Sequence, residues 1–210
     1  MSGMGRTGKP FAVEHWGVTP DMILVGKGIA SGYAPLGAVI AAGHVVDAIS
    51  KGTGTFLHGF TYNAHPVSAA AGNAVLDYIE QENLFARVEP AGRELRVALE
   101  PLRKFSVVGD IRGMGLLFAI EFVRDAKTRA PFPPDARVAF RVQADALEGG
   151  VMTYPIQGCV DGARGDHILI APPFTITTQQ IHMLVSGLLQ AIGDLEKNHL
   201  AATGGSSASL

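Results

Sequence analysis

The apolar residues of this chain fall into short unbroken runs in its first third, then into helix-spaced stripes and alternating strands. Met22-Ile23-Leu24-Val25 is a run of strand length, preceded by Pro20-Asp21 and closed by Gly26, the punctuation of a turn before a strand and a loop after it. Leu36 to Ala42 is a second run without polar alternation. That predicts a strand buried on both faces, as in an α/β sheet. His44 to Ser50 predicts a short helix, and residues 1–21, 28–36 and 51–64 read as loop. Pro66 suits the first turn of a helix over 66–80, because its missing N–H would be unpaired there anyway. Ser68, Ala69, Ala70, Ala71 and Gly72 make that helix small enough to pack closely on another backbone.

A helix over 83–103 carries Leu84, Val88, Leu95, Leu99 and Leu102 on one stripe. The period then shortens. Residues 105–112 and 116–122 predict two strands joined as a hairpin through Gly113-Met114-Gly115. Asp135 to Leu147 predicts a helix stopped by Gly149-Gly150. Val151–Tyr154 and Ile168–Ala171 predict short strands around the turn-rich segment 155–166. Thr177 is placed to cap a final helix through about Lys197. Residues 201–210 are of low complexity, with the composition of a disordered tail. The reading is an α/β section to about residue 80, then an α+β section with a small antiparallel sheet.

Composition narrows the function. Hydrophobic residues make up 47% and charged residues 17%, which is a globular profile. The net charge of -2 comes without a basic face, which argues against nucleic-acid binding. Cys159 is the only cysteine, so an intramolecular disulfide or a cysteine-rich zinc site is excluded, and no activating partner is visible for it. The seven His form no metal-ligand motif. No apolar run reaches the roughly 20 residues that span a bilayer, and no signal-peptide layout is present. A soluble, cytoplasmic protein is expected. The glycine-rich opening, Met1 to Gly8, reads as a connection within something longer, so the chain is expected to be the C-terminal part of a larger protein.

Three residues stand out chemically. Lys27, between Gly26 and Gly28, ends the first apolar run and opens a small-residue loop. An amine presented so can form a Schiff base, although a surface lysine at a strand end reads the same way. Thr61, in Gly59-Phe60-Thr61-Tyr62-Asn63, precedes a Pro-started helix and can donate to a phosphate oxygen, or belong to a plain surface loop. Arg164, in Asp161-Gly162-Ala163-Arg164-Gly165-Asp166, can bind a carboxylate bidentately or be a solvated loop arginine. Gly3 to Lys9 fits G-x-x-x-x-G-K, but Pro10 stands where a Ser or Thr is required and no strand precedes it, which argues against nucleotide hydrolysis.

Five stretches in order resemble the class-III pyridoxal-phosphate-dependent aminotransferases of omega-amino-acid type. They are Gly3-Met4-Gly5-Arg6-Thr7-Gly8-Lys9, Pro20 to Gly28, His58 to Pro66, Val108 to Gly115 and Asp166 to Pro173. The resemblance covers about residues 1–196. It implies a fold-type-I large domain, of which 1–80 is the C-terminal part, a linking helix at 81–104, a small C-terminal α+β domain at 105–198 and a tail at 199–210. It implies pyridoxal 5'-phosphate held by Lys27 as an aldimine, and amino transfer from an amine or omega-amino acid to a 2-oxo acid. It also implies that Thr61 contacts a phosphate held mainly by the other subunit of a homodimer, with active sites at the interface. Arg164 is the candidate for the substrate carboxylate, and Arg112 and Arg6 are read as structural. A complete member is about twice as long, and its ring-nitrogen aspartate is expected before this chain begins. The alternative is therefore a catalytically inactive fragment that at most associates with a complete subunit.

Overall fold

In the computed structural model, which describes residues 1–204, the two early apolar runs become strands β1 (Met22–Val25) and β2 (Ala38–Ala41). They pair antiparallel, with Ile23 opposite Ile40 and Leu24 opposite Val39. A 3-10 turn at Lys27–Ile29 follows β1. Helices α1 (Gly43–Lys51) and α2 (Pro66–Gln81) come next, and α2 opens on Pro66 as the sequence predicts. The chain divides into two compact units between Val88 and Glu89, inside helix α3 (Leu84–Leu99).

In the first unit the ribbon differs from its expected setting. β1 and β2 are not covered on both faces: Leu24 is 81% exposed and Val39 62%. Their uniform apolarity suits strands of a larger sheet, but each pairs only with the other among the described residues. The small face of α2 does behave as expected. Ser68 and Gly72 are buried, and a methyl built on Gly72 would stand 2.6 Å from Leu36 Cδ2 and 3.5 Å from the Ile29 carbonyl oxygen. Only a residue without a side chain lets α2 lie this close to the loop that follows Lys27.

The second unit has a core of its own. Strands β3 (Val108–Met114), β4 (Leu117–Phe122), β5 (Tyr154–Gln157) and β6 (Asp166–Ile170) form one antiparallel sheet in the order β3-β4-β6-β5. Helices α4 (Val138–Glu148) and α5 (Thr178–Gly204) pack together, and α4 also packs on β5 and β6. Phe118, Ile120, Phe122, Ile168 and Ile170 alternate into the core with Val142, Ile181 and Leu188 from the helices, all buried. Each such side chain contributes about 1.5–3 kcal/mol of transfer free energy.

Element ends shift for local reasons. Pro101 turns the end of the expected 83–103 helix into a 3-10 segment, Glu100–Lys104. The β3–β4 turn falls on Gly115-Leu116, because Met114 already pairs with Leu117. Val151 cannot start β5, since its N–H is spent on the Ala146 carbonyl at the end of α4 (2.8 Å) and Gly150 takes φ +81° there. Thr177 caps α5 as expected: the Gln180 N–H donates to Thr177 Oγ1 (3.3 Å) and the Thr177 N–H to Gln180 Oε1 (2.9 Å). Residues 199–204 of the expected tail are the end of α5, and 205–210 lie outside the described residues. Among the described residues no helix is long and apolar enough to cross a membrane, and no group of His, Cys, Asp or Glu could hold a metal ion.

Candidate active site

Lys27 stands at the end of β1 with its side chain exposed and its backbone at φ +52°, in the left-handed region. For a residue with a Cβ that conformation costs roughly 1–2 kcal/mol. A strained non-glycine backbone at an exposed amine is the kind of outlier that functional positions retain. The flanking glycines give the loop room: a methyl on Gly28 would stand 2.9 Å from Met4 Cβ. The lysine loop thus lies directly against the glycine-rich opening of the chain.

That opening is itself held in place. His15 Nε2 sits 3.0 Å from the Thr7 carbonyl oxygen and 3.2 Å from Thr7 Oγ1, and Thr7 is buried. Nothing in the spacing of His15 and Thr7 signals this contact, which depends on the 3-10 turn Ala12–Trp16 bringing the ring back. The Met1–Met4 segment, Phe11–Val13 and β1 enclose an open cavity of about 390 Å³ that reaches Gly26 and Gly28, the neighbours of Lys27.

Thr61 lies in the exposed connection before α2, in the same unit as Lys27. Aromatic side chains dominate this loop. Phe56 and His58 meet edge to face with centroids 5.9 Å apart, His58 and Phe60 at 4.9 Å, and Phe60 and Tyr62 are largely exposed. The loop offers hydroxyl and amide donors together with an uncovered aromatic surface.

Arg164 belongs to the second unit, on the β5–β6 connection. Its guanidinium Nε donates to Asp161 Oδ2 (2.7 Å), and the backbone N–H groups of Arg164 and Ala163 donate to Asp161 Oδ1 (2.7 and 3.1 Å). The ion pair engages the guanidinium through Nε, one of its five N–H donors. The connection is tight: a methyl on Gly158 would stand 2.7 Å from the Gly162 carbonyl oxygen, and one on Gly165 2.6 Å from Cys159 Sγ. Asp161 is the partner the sequence reading left out, although an Asp three residues before an Arg in a Gly-rich turn is the signal for it. Cys159 is exposed, yet partial burial pushes its thiol above the ordinary value, which disfavours the thiolate. Arg112 bridges Glu121 (2.6 Å) and Asp110 (3.2 Å), which occupies its guanidinium on the sheet.

The family model for aminotransferase class-III matches residues 1–192. The aminotransferase YodT of Bacillus subtilis is 38% identical over 199 residues, which are 94% of this chain and 45% of that protein. The adenosylmethionine-8-amino-7-oxononanoate aminotransferase of Nitratidesulfovibrio vulgaris is 37% identical, covering 90% of this chain and 34% of its own length. Among solved structures, a transaminase from the marine bacterium Virgibacillus superposes with a TM-score of 0.87 at 34% identity, over 94% of this chain and 44% of that one. An amine transaminase from an uncultivated Pseudomonas species, in its PLP-bound internal aldimine form, does so at 0.83 and 37%, over 91% and 42%. The chain therefore spans less than half the length of the relatives it matches.

Two exposed side chains of the first unit have chemistry that pyridoxal phosphate takes: an amine such as Lys27 reacts with an aldehyde, and a hydroxyl such as Thr61 donates to a phosphate. Among the described residues of the first unit no aspartate is buried: Asp21 is paired with His44 (3.1 Å), Asp47 with Lys51 (3.6 Å) and Asp77 is exposed, while the buried Asp166 belongs to the second unit.

Proposed function

The chain belongs to the class-III aminotransferase family, and from that premise we propose that it carries the lysine-bearing part of a pyridoxal-phosphate-dependent aminotransferase. The reaction is transfer of an amino group from an amine or omega-amino acid to a 2-oxo acid. The observation that carries this reading is Lys27: an exposed amine on a strained backbone at the end of β1, inside the matched segment.

Pyridoxal phosphate, when bound, supplies the electron sink for this chemistry. Lys27 Nζ is the covalent anchor. When that amine is free, it would be the base that takes a proton from the nitrogen-bearing substrate carbon and delivers it to C4′ of the bound cofactor. The Thr61 hydroxyl donates to a phosphate oxygen. The exposed aromatic loop around it supports contact with a second copy, so that a homodimer would join two sites at its interface. Arg164, through its Nη groups, binds a substrate carboxylate, with Asp161 orienting the fork. A reducing, cytoplasmic setting completes the reading.

The want of a buried carboxylate for the ring nitrogen in the first unit favours a second reading, a catalytically inactive fragment that at most associates with a complete subunit. One experiment separates the two. The purified chain is incubated with pyridoxal phosphate, reduced with borohydride and digested. A mass increase of one phosphopyridoxyl group on the Lys27 peptide, absent in Lys27→Ala, with turnover of an amine and pyruvate, supports the first reading. Labelling without turnover supports the second. Modification spread over several lysines, with Lys27 not preferred, overturns both.

A further inference from the structure

Lys27 has a left-handed backbone, a costly state for a residue with a Cβ that persists only where the surrounding fold enforces it. Its own turn holds it weakly. The Ile29 N–H donates to the Gly26 carbonyl at 3.4 Å and the Ala30 N–H to the Lys27 carbonyl at 3.3 Å. A well-formed bond of this kind measures about 2.9–3.0 Å. The constraint therefore comes from what packs on the turn.

Two walls enclose it. On one side α2 presents Gly72. A methyl there would stand 3.5 Å from the Ile29 carbonyl oxygen, which is ordinary contact, and 2.6 Å from Leu36 Cδ2, the far end of a rotatable side chain. On the other side stands Met4. A methyl on Gly28 would lie 2.9 Å from Met4 Cβ and 3.2 Å from Met4 Cγ. A Cβ is fixed by its own backbone, so Met4 is the rigid wall.

Met4 is itself anchored. The Gly5 N–H donates to the Pro10 carbonyl (3.2 Å) and the Gly8 N–H to the Gly5 carbonyl (2.9 Å). Phe85 of α3 closes on Gly5 so tightly that a methyl there would overlap its ring. Met4 lies at φ +54°, in the left-handed region like Lys27. Glycine would take that turn position without steric cost. The position carries instead a half-buried side chain that lies on Gly28. Strain thus sits on both sides of one contact, next to the amine that the sequence and the fold single out.

We propose that Met4 is a positioning residue for Lys27. Its Cβ, packed on Gly28, keeps Lys27 in the left-handed region and so fixes the direction in which the amine leaves the end of β1. This presupposes Lys27 as the covalent anchor proposed above.

Two readouts on the full chain test it, the first without cofactor. The Cα and Cβ chemical shifts of Lys27 report by NMR whether its backbone is left-handed. Met4→Gly removes the wall together with the strain at Met4 itself. It is expected to move the Lys27 shifts toward extended values while amide protection across α2 stays as in the parent. Met4→Ala keeps the Cβ and is expected to keep the parent shifts. The second readout is the rate at which pyridoxal phosphate and borohydride label Lys27 relative to the other lysines. Met4→Gly is expected to lower it about fivefold or more, the factor that corresponds to the left-handed preference lost. Gly28→Ala is expected to lower it too, and Gly28→Ala with Met4→Gly to lose no more than Met4→Gly alone, because the two positions act through one contact. Unchanged Lys27 shifts in Met4→Gly overturn the proposal, whatever the labelling does. Loss of α2 protection in that variant overturns it as well, since Met4 would then hold the first unit together rather than aim Lys27. Changed shifts with parent labelling spread evenly over the lysines would keep the positioning and overturn the reading of Lys27 as the anchor. Preferred labelling of Lys27 in the parent with unchanged shifts in Met4→Gly would do the reverse.

Discussion

Asp161 holds Arg164 at two points: its Oδ2 accepts from the guanidinium Nε and its Oδ1 from the Arg164 backbone N–H, each at 2.7 Å. That backbone bond, the guanidinium and the Ala163 N–H together depress the Asp161 carboxyl to about 2. A depressed carboxylate contributes its bonds fully above the ordinary Asp range near ~3.9 and loses them as pH falls through its folded value. The loop should therefore stay ordered down to pH about 3 and loosen below it. A carboxyl-carbon NMR titration that finds Asp161 at its ordinary value would show that the grip is absent in solution.

The same pair bears on substrate choice. If Arg164 binds a carboxylate, Arg164→Ala should raise KM for an omega-amino acid by about 10–100-fold and leave a simple amine within about threefold, since a charge-assisted hydrogen bond is worth about 1.5–3 kcal/mol. Equal losses on both donors would make Arg164 a loop-building residue only. The assay is run on whichever assembly shows turnover.

Lys27 should show function and stability pulling apart. Lys27→Gly removes a left-handed conformation from a residue with a Cβ and should stabilise the first unit by about 1 kcal/mol, while ending covalent attachment of the cofactor. Lys27→Ala should end attachment without the gain, because alanine keeps the strain. Denaturant midpoints of the two variants, compared with borohydride labelling, check both halves.

Asp166 should couple the second unit to pH in the opposite sense from Asp161. It is fully buried, and its Oδ1 accepts from the Ala139 N–H at the start of α4 (3.0 Å). Oδ2 makes no hydrogen bond within the chain, and the Gln157 amide donates to the Pro134 carbonyl (2.7 Å). Burial pushes this carboxyl up, against the pull of the Ala139 N–H, Gln157 and His167. A raised folded value favours the protonated form, so its contribution is fullest below the ordinary carboxylate range and declines as pH rises through the raised value. Asp166→Asn should flatten the stability profile from the ordinary carboxylate range upward. Asp166→Ala should cost about 1–3 kcal/mol by leaving the Ala139 N–H unpaired. Urea unfolding across pH reads both.

Gly92 should tolerate no side chain although it lies within α3. Its Cβ would run into the backbone of Gly115 in the β3–β4 turn. Alanine is the better helix former by about 1 kcal/mol, yet here the clash is with main chain that cannot rotate away. Gly92→Ala is expected to lower stability by about 1–3 kcal/mol. A neutral or stabilising result by thermal unfolding would mean that the turn moves freely.

Pattern alone carried most of the elements. The β3–β4 hairpin, the Pro-started α2 and the Thr177 cap all rest on local rules: alternation, a missing N–H, a hydroxyl facing free amides. Boundaries moved where one hydrogen bond outranked propensity, as when the Val151 N–H closed α4 and delayed β5. The composition of β1 and β2 was equally legible, but it predicted burial that the described residues do not provide.

Lys27 as a candidate amine was determined by the sequence, because a lysine between two glycines after an apolar run is visible without coordinates. Its φ of +52°, the contact of Gly28 with Met4, the hold of His15 on Thr7 and the double grip of Asp161 on Arg164 were decided only by the tertiary structure. The physical reason is range. Strands, helices and caps are settled by neighbours within a few residues, whereas loop backbone angles and side-chain pairings depend on which distant atoms the folded chain brings within about 3 Å.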